Sequence, residues 1–332
     1  MKFEQILNDL KNKKYHPIYL LAGEESFFID QISDHIENSV LDDMEKEFNQ
    51  SILYGKDTDV AKIVATAKRF PMMSNHQVVI VKEAQEIKKL DELSAYAENP
   101  LESTILVVCH KYKKIDKRKS LAKVVKKSGV LFESNKLYDN QVPDWINQQF
   151  SVRGYTIRPK AAIMLSEFLG TDLSKISNEI EKLVINIPKG SEITDDDIER
   201  NIGISKDYNV FELQKAIGKR DEVKCQQIVN YFAANEKNNP LVVVTGILYG
   251  FFSKLLIFHQ LKDKSKMNVA KALSVNPFFV GDYQLAARNF SVPKLAQVIK
   301  HLREYDLKSK GVGNISSKDG ELLKELIFKI LH

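Results

Sequence analysis

Cysteine is scarce in this chain of 332 residues, which contains only Cys109 and Cys225. They stand far apart, so neither a disulfide framework nor a Cys-x-x-Cys metal signature is possible, and we expect two reduced core thiols. The N-terminus lacks the apolar run of a signal peptide. The most apolar stretch, residues 240–258, contains Lys254 and two glycines. We interpret it as too short and too polar at its flanks to span a bilayer, and we predict a cytoplasmic protein without membrane contact.

A large excess of one charge sign is also missing. The formal net charge is +5 and the sequence pI is about 8.8. A dedicated DNA-binding domain is usually more basic, so this charge permits contact with nucleic acid or acidic proteins without requiring it. Hydrophobic residues make up 43% of the chain, which is enough to bury real cores. The length predicts roughly two to three domains.

Short apolar runs alternate with helical patterns in the first part of the chain. The runs cover residues 18–22, 51–54, 78–81, 104–109 and the neighbourhood of 130–132. They are continuously apolar, which is typical of strands buried on both faces in a parallel sheet covered by helices. Residues 1–140 are therefore predicted to form an α/β domain. Its helices are expected at about 27–40, after Asp57, at 87–97 and, rich in lysine, after the fourth strand.

After Pro143 the strand signal disappears and the pattern is helical. Residues 141–207 are predicted to form a small helical domain, in which Asp172 caps one helix and Thr194 opens another. Residues 208–332 are predicted to form a larger helical domain. Its helices are expected at 211–218, 221–235, 240–262, 267–273, 277–289, 292–310 and 318–331. The predicted fold is thus an α/β domain followed by two all-α domains.

The loop after the first predicted strand has the position of a phosphate-binding loop but not its residues. A working loop needs Gly-x-x-x-x-Gly-Lys-Ser/Thr, whose backbone amides cradle phosphate and whose lysine reaches the outer phosphates. This chain has Gly23 followed by Glu24, Glu25 and Ser26, without the second glycine or the lysine. The glutamates would repel phosphate. We interpret them as residues of a first helical turn, where carboxylates favour the helix dipole, rather than as catalytic carboxylates.

The end of the fourth predicted strand lacks the carboxylate that a magnesium site needs. Cys109, His110 and Lys111 stand there instead. Two elements of phosphoryl chemistry are therefore missing together, and we predict no ATP hydrolysis. A cysteine beside a histidine, without other clustered ligands, is weak evidence for a metal site. We expect neither a metal nor a cofactor.

Several segments, in order along nearly the whole chain, match the pattern of one known family. They are residues 17–25, 69–84, 170–173, 179–183, 211–213, 276–278 and 305–308. On these segments the chain resembles the delta subunits of bacterial replicative clamp loaders. The resemblance implies an AAA+ fold, with residues 141–207 as its lid and 208–332 as its collar, and no enzymatic step. The absence of a Ser-Arg-Cys triplet, the arginine-finger motif of sister subunits, agrees with that expectation.

In that family two apolar residues on an exposed tip enter a pocket of the ring-shaped beta sliding clamp. The resemblance places them at Met72 and Met73, and Phe70 and Pro71 would shape the tip. The family's better-known pair is a leucine followed by a phenylalanine, from which two methionines depart. Methionine still suits such a site because it is unbranched, polarizable and able to fill irregular pockets. The residues alone leave open that both side chains fold back onto the domain core.

The resemblance also implies the partners. The protein would bind and open the beta sliding clamp, so that the clamp can be loaded on primed DNA during replication. The collar would contact the delta prime and gamma/tau subunits of the loader, and primed DNA would be bound weakly within the assembly. A basic cluster could contact DNA or an acidic partner, or it could be a solvated helix face. Its residues are Lys113, Lys114, Lys117, Arg118 and Lys119.

Two other functions stay open on the sequence. One is an AAA+ ATPase with an unusual nucleotide site, which a nucleotide titration would reveal. The other is a DNA-binding scaffold of the replisome, whose isolated chain would bind DNA strongly and with a steep salt dependence.

Overall fold

The computed structural model describes residues 1–203, 205, 207–314 and 316–332. The chain divides into two compact units, Met1–Leu137 and Tyr138–His332. The finer division into domains 1–140, 141–207 and 208–332 stays a prediction, and positions 204 and 206 of the predicted middle domain lie outside the described residues.

The first unit is built on a five-stranded sheet in the order β2-β3-β4-β1-β5, in which all neighbouring strands are parallel. The strands are β1 Ile18–Gly23, β2 Gln50–Tyr54, β3 Gln77–Lys82, β4 Thr104–Lys111 and β5 Val130–Ser134. The predicted parallel α/β arrangement is confirmed. Side chains alternate across the sheet, so Tyr19 and Leu21 join the core on one face while Ile18 and Leu20 join the core on the other.

Helices cover both faces of this sheet. They are α1 Phe3–Lys11, α2 Ser26–Ser39, α3 Asp43–Asn49, α4 Val60–Ala67, α5 Ser94–Ala97 and α6 Ser120–Ser128. The predicted helix 87–97 was wrong in type, because a 3-10 turn at Leu90–Leu93 precedes only a short α5. Helices α1 and α3 were not predicted from the sequence. Helix α3 is short, but Asp42 accepts a hydrogen bond from the Glu45 amide and forms a capping box that defines its start.

The second unit begins with four helices and a small sheet. The helices are α7 Val142–Val152, α8 Pro159–Leu169, α9 Leu173–Asn186 and α10 Asp195–Ile202, and the paired strands are β6 Thr156–Ile157 and β7 Glu192–Ile193. The expectation of no strand after Pro143 was therefore wrong, because strands of two residues leave no periodic signal. The predicted caps are confirmed: Asp172 accepts from the Lys175 amide at 3.1 Å, and Thr194 caps α10.

The remaining helices share one hydrophobic core. They are α11 Val210–Lys219, α12 Glu222–Ala234, α13 Leu241–Gln260, α14 Lys266–Leu273, α15 Val280–Asn289, α16 Val292–Ser309 and α17 Asp319–Leu331. All the helices predicted for this region are present. The prediction at 277–289 was wrong only in its first turn, where a 3-10 turn, Pro277–Phe279, precedes α15.

Among the described residues, one helix is long and apolar enough to cross a bilayer, and it is the 20-residue α13. Its shortness was therefore the wrong reason to reject a membrane span. A central helix of a helical core passes the same test, and Leu248, Phe252 and Leu255 of α13 are fully buried inside this unit. The helix packs most extensively against α16. The core that the helix helps to form thus accounts for the apolar residues on one of its sides.

Candidate functional site

The loop tip, residues 70–73, lies between α4 and β3 of the first unit. Phe70, Met72 and Met73 expose 76%, 62% and 103% of their surface, respectively. The alternative in which both methionines fold back onto the core does not describe this structure. Apolar side chains of this size, projecting together from one short loop, are typical of a surface that binds another protein.

The backbone of the loop tip is held from one side by Asn49, the last residue of α3. The Asn49 amide nitrogen Nδ2 donates to the Met72 carbonyl at 2.9 Å, and its Oδ1 accepts from the Met72 amide at 2.6 Å. Asn49 itself is only 2% exposed. The next residue, Met73, has a left-handed backbone with φ 54°, a conformation that is uncommon for residues other than glycine.

Other hydrogen bonds fix the base of the loop. Thr104 Oγ1 donates to the Ala67 carbonyl at 2.8 Å, and Gln77 Nε2 donates to the Thr66 carbonyl at 2.7 Å. These bonds tie the end of α4 to β4 and β3. The loop tip therefore projects from a base that hydrogen bonds hold in place, rather than from a flexible connection.

Sequence reasoning missed the contribution of α3 to this region. Met44 and Phe48 on α3 are 80% and 68% exposed, and Phe48 precedes the Asn49 that contacts the loop tip. A single exposed apolar residue needs no explanation. Their position one turn apart on the helix, the i and i+4 spacing, was a signal available in the sequence. The Asn49–Met72 contact joins positions 23 apart and left no such signal.

The degenerate phosphate loop lies at the carboxyl end of β1. The amides of Glu24 and Glu25 donate to the Ser134 carbonyl at 2.9 and 3.3 Å, so the groups that would cradle a phosphate are bonded to protein. A Cβ added to Gly23 would lie 1.9 Å from the same carbonyl oxygen. Gly23 is thus required by the close approach of β5, not by a ligand.

Glu24 and Glu25 do not lie in the first turn of the helix, where they were expected. Both precede α2, which begins at Ser26, and Glu25 is its N-cap, with Oε1 accepting from the Phe27 amide at 3.0 Å. The Glu25 carboxylate therefore occupies the anion-favouring end of the helix. Glu24 forms an ion pair with Lys114 at 3.5 Å. The prediction of a first-turn position was wrong by one to two residues, but the preference of carboxylates for this helix end explains why they are there.

The end of β4 carries no carboxylate that could hold magnesium. Lys111 stands there and forms an ion pair with Asp30 of α2. Burial raises the pKa of the Cys109 thiol to about 12, and burial lowers the pKa of His110. Within the described ranges, no cluster of three histidine, cysteine, aspartate or glutamate side chains has the arrangement of a metal site.

The basic cluster lies mostly on a loop, not on the helix predicted there, because α6 begins only at Ser120. Much of its charge is paired. Lys114 contacts Glu24, Lys117 contacts Glu133 at 2.7 Å, and Arg118 contacts Asp116 at 2.9 Å. Arg118 holds the pKa of Asp116 at about 2 through hydrogen bonds to its carboxylate. Lys113 and Lys119 form no ion pair with any described residue, so fewer free cations remain than the sequence suggests.

Two family models match the chain. The model of the DNA polymerase III delta subunit matches residues 19–135, and the model of the C-terminal domain of that subunit matches residues 207–329. DNA polymerase III subunit delta of Bacillus subtilis (strain 168) is 28% identical, over 97% of this chain and 94% of the relative. The solved structure of the Bacillus subtilis DNA clamp loader delta protein (YqeN) is 26% identical, with a TM-score of 0.66 and 99% of each chain covered.

The parallel sheet of the first unit and the helical second unit match the solved structure of a clamp loader delta protein, and the fold is therefore that of a DNA clamp loader subunit. The chain belongs to the DNA polymerase III delta subunit family. It is accordingly a component of the DNA polymerase III clamp loader and takes part in DNA replication, as the resemblance implied.

Proposed function

We propose that this delta subunit binds the beta sliding clamp through the loop tip and opens it without hydrolysing ATP. The observation that carries the proposal is the exposure of Met72 and Met73 on a backbone that is already fixed. Methionines adapt to an irregular apolar pocket, and a fixed backbone lowers the entropy lost on binding. Phe70 and Pro71 give the loop tip its shape.

Opening of the clamp follows if this chain binds the open clamp more tightly than the closed clamp. A protein that binds the open form of a ring more tightly than the closed form shifts the population toward the open form. The delta subunit therefore needs no chemical step of its own. In the assembled loader, neighbouring subunits that bind ATP would control access to the loop tip.

Absence of ATP hydrolysis is supported by the substituted phosphate loop. The Glu24 and Glu25 amides are bonded to Ser134, and Glu25 caps the helix that would face a phosphate. The functional alternative, an ATPase with an unusual site, would require these bonds to break. We expect calorimetric titration with magnesium ATP to give no binding heat at micromolar protein, and saturable binding would contradict the proposal.

The collar helices are the proposed contact with the delta prime and gamma/tau subunits. Helix α13 supports this because Val242, Val243, Tyr249 and Ile257 are 43%, 51%, 53% and 43% exposed on its outer side. Primed DNA would be bound only weakly, since most of the basic cluster is paired. We propose that the assembly acts in the cytoplasm.

The test is calorimetric binding of the full chain to its cognate beta clamp, for the wild type and for Met72→Ala/Met73→Ala. Loss of two buried anchors should cost about 2 kcal/mol or more, which is beyond about 30-fold in affinity. Met267→Ala is the matched control, because Met267 is 73% exposed but belongs to the second unit.

Three outcomes are informative. Strong wild-type binding that is lost only in the double variant supports both the function and the site. Equal binding by all three proteins would mean that the clamp contact lies on residues outside the loop tip. If the wild type does not bind, the proposed clamp contact by the isolated subunit is wrong.

A further inference from the structure

We infer that Asn49 is a positioning residue for clamp binding, which sets the backbone of the loop tip before the clamp arrives. This inference rests on the proposed function of the loop tip. Asn49 itself is almost entirely buried, so it acts through Met72 and Met73 and does not touch the clamp.

The contact between Asn49 and Met72 requires the chemistry of a side-chain amide. A side-chain amide has both a donor and an acceptor in one plane, and Asn49 uses them on the carbonyl and the amide of the same residue, Met72. Its Nδ2 also donates to the Glu45 carbonyl at 3.1 Å, within α3. The side chain is thus anchored in its own helix while it holds the loop. Alanine offers neither group, and an ionised aspartate offers only the acceptor.

The backbone at Met73 has a conformation that needs a restraint. A left-handed conformation in a residue other than glycine persists only where the surroundings impose it. The Met73 side chain is fully exposed and gains nothing from packing. The restraint must therefore come through the main chain, and the hydrogen bonds from Asn49 to the adjacent Met72 are the restraint nearest to it.

A restrained loop-tip backbone lowers the conformational entropy that is lost when the clamp binds. Methionine side chains have three flexible torsions, and their ordering already opposes clamp binding. If the backbone of Met72 and Met73 were also free, its ordering would oppose binding further. Fixing about one residue costs enough to weaken an affinity about tenfold. Asn49 supplies this restraint in the free protein.

The experiment is a double-variant cycle with the full chain and purified beta clamp. Clamp affinity is measured for the wild type, Asn49→Ala, Met72→Ala/Met73→Ala and the triple variant. We expect Asn49→Ala to weaken binding about tenfold. In the background that lacks both methionines, Asn49→Ala should change the affinity little, because the residue acts only through them.

The outcomes separate this inference from the proposed function. If Asn49→Ala weakens clamp affinity tenfold in both backgrounds, Asn49 has a general structural role and the inference is overturned. The inference is also overturned if Asn49→Ala binds the clamp as tightly as the wild type while Met72→Ala/Met73→Ala binds weakly. If the wild type fails to bind, the proposed function fails and the inference falls with it.

A measurement on the unmodified chain covers the case in which Asn49→Ala does not fold. Hydrogen exchange of the Met72 amide, followed by NMR, should be slow because that amide is bonded to a buried acceptor. In a folded Asn49→Ala variant the same amide should exchange faster, while the β3 amides keep their protection. Rapid exchange of the Met72 amide in the wild type would overturn the inference.

Discussion

We predict that Glu167 makes the stability of the second unit depend on pH. It lies on α8 and lines a cavity of about 520 Å³ together with Glu212 and Asp282. Burial, followed by the nearby charges of Glu212 and Asp282, raises the pKa of Glu167 to about 8, although the charge of Lys254 opposes this shift. Replacing Glu167 with glutamine keeps the shape of the side chain and removes its ionisation.

The sign of the effect follows from proton binding. Between the ordinary pKa of 4.5 and the folded value of about 8, the folded chain keeps a proton that the unfolded chain releases. Stability is therefore highest at low pH within this window and falls as the pH rises through it. The full shift corresponds to a ceiling of about 5 kcal/mol. Because the carboxyl group is partly accessible to solvent, we expect about 2 kcal/mol.

The assay is thermal unfolding of the full chain at pH 5 and pH 8.5, followed by the fluorescence of Trp145. This is the sole tryptophan and lies buried in α7, so its signal reports the second unit. Glu167→Gln should match the wild type at pH 5 and unfold about 4–8 °C higher at pH 8.5. Glu321→Gln is the control, because that side chain is 67% exposed. An equal shift at both pH values would refute the reasoning.

Two further predictions concern the first unit and the thiols. Gly23→Ala should destabilise the first unit by about 3 kcal/mol, because its Cβ would meet the Ser134 carbonyl; urea unfolding measures this. Gly281→Ala, which has open space, is the control, and equal effects of the two substitutions would contradict the steric argument. Cys109 and Cys225 should react with a thiol reagent only after unfolding, since burial raises both pKa values to about 12. Labelling of the native chain at pH 8 would disprove this.

The sequence by itself determined the element types wherever local composition and burial agree. Continuous apolar runs such as 78–81 and 104–109 predicted buried parallel strands, and the register of β3 with β4 confirms them. Asp172 predicted the start of α9 because a helix cap depends on only a few neighbouring residues. The missing second glycine and lysine of a phosphate loop were likewise visible in the residues after Gly23. The type of each element was therefore predictable from residues close in the chain, although the pairing of β3 with β4 joins distant positions.

Tertiary structure decided the features that join distant positions. The Ser134 carbonyl accepts hydrogen bonds from the amides of Glu24 and Glu25, and Glu133 forms an ion pair with Lys117. Asn49 reaches Met72 across 23 positions. Pairings at such distances leave no periodic pattern, because they depend on how strands and helices stack rather than on local preference. The family resemblance, and not the residues alone, placed Met72 and Met73 on an exposed tip, and only the fold revealed the hydrogen bonds from Asn49 that hold its backbone.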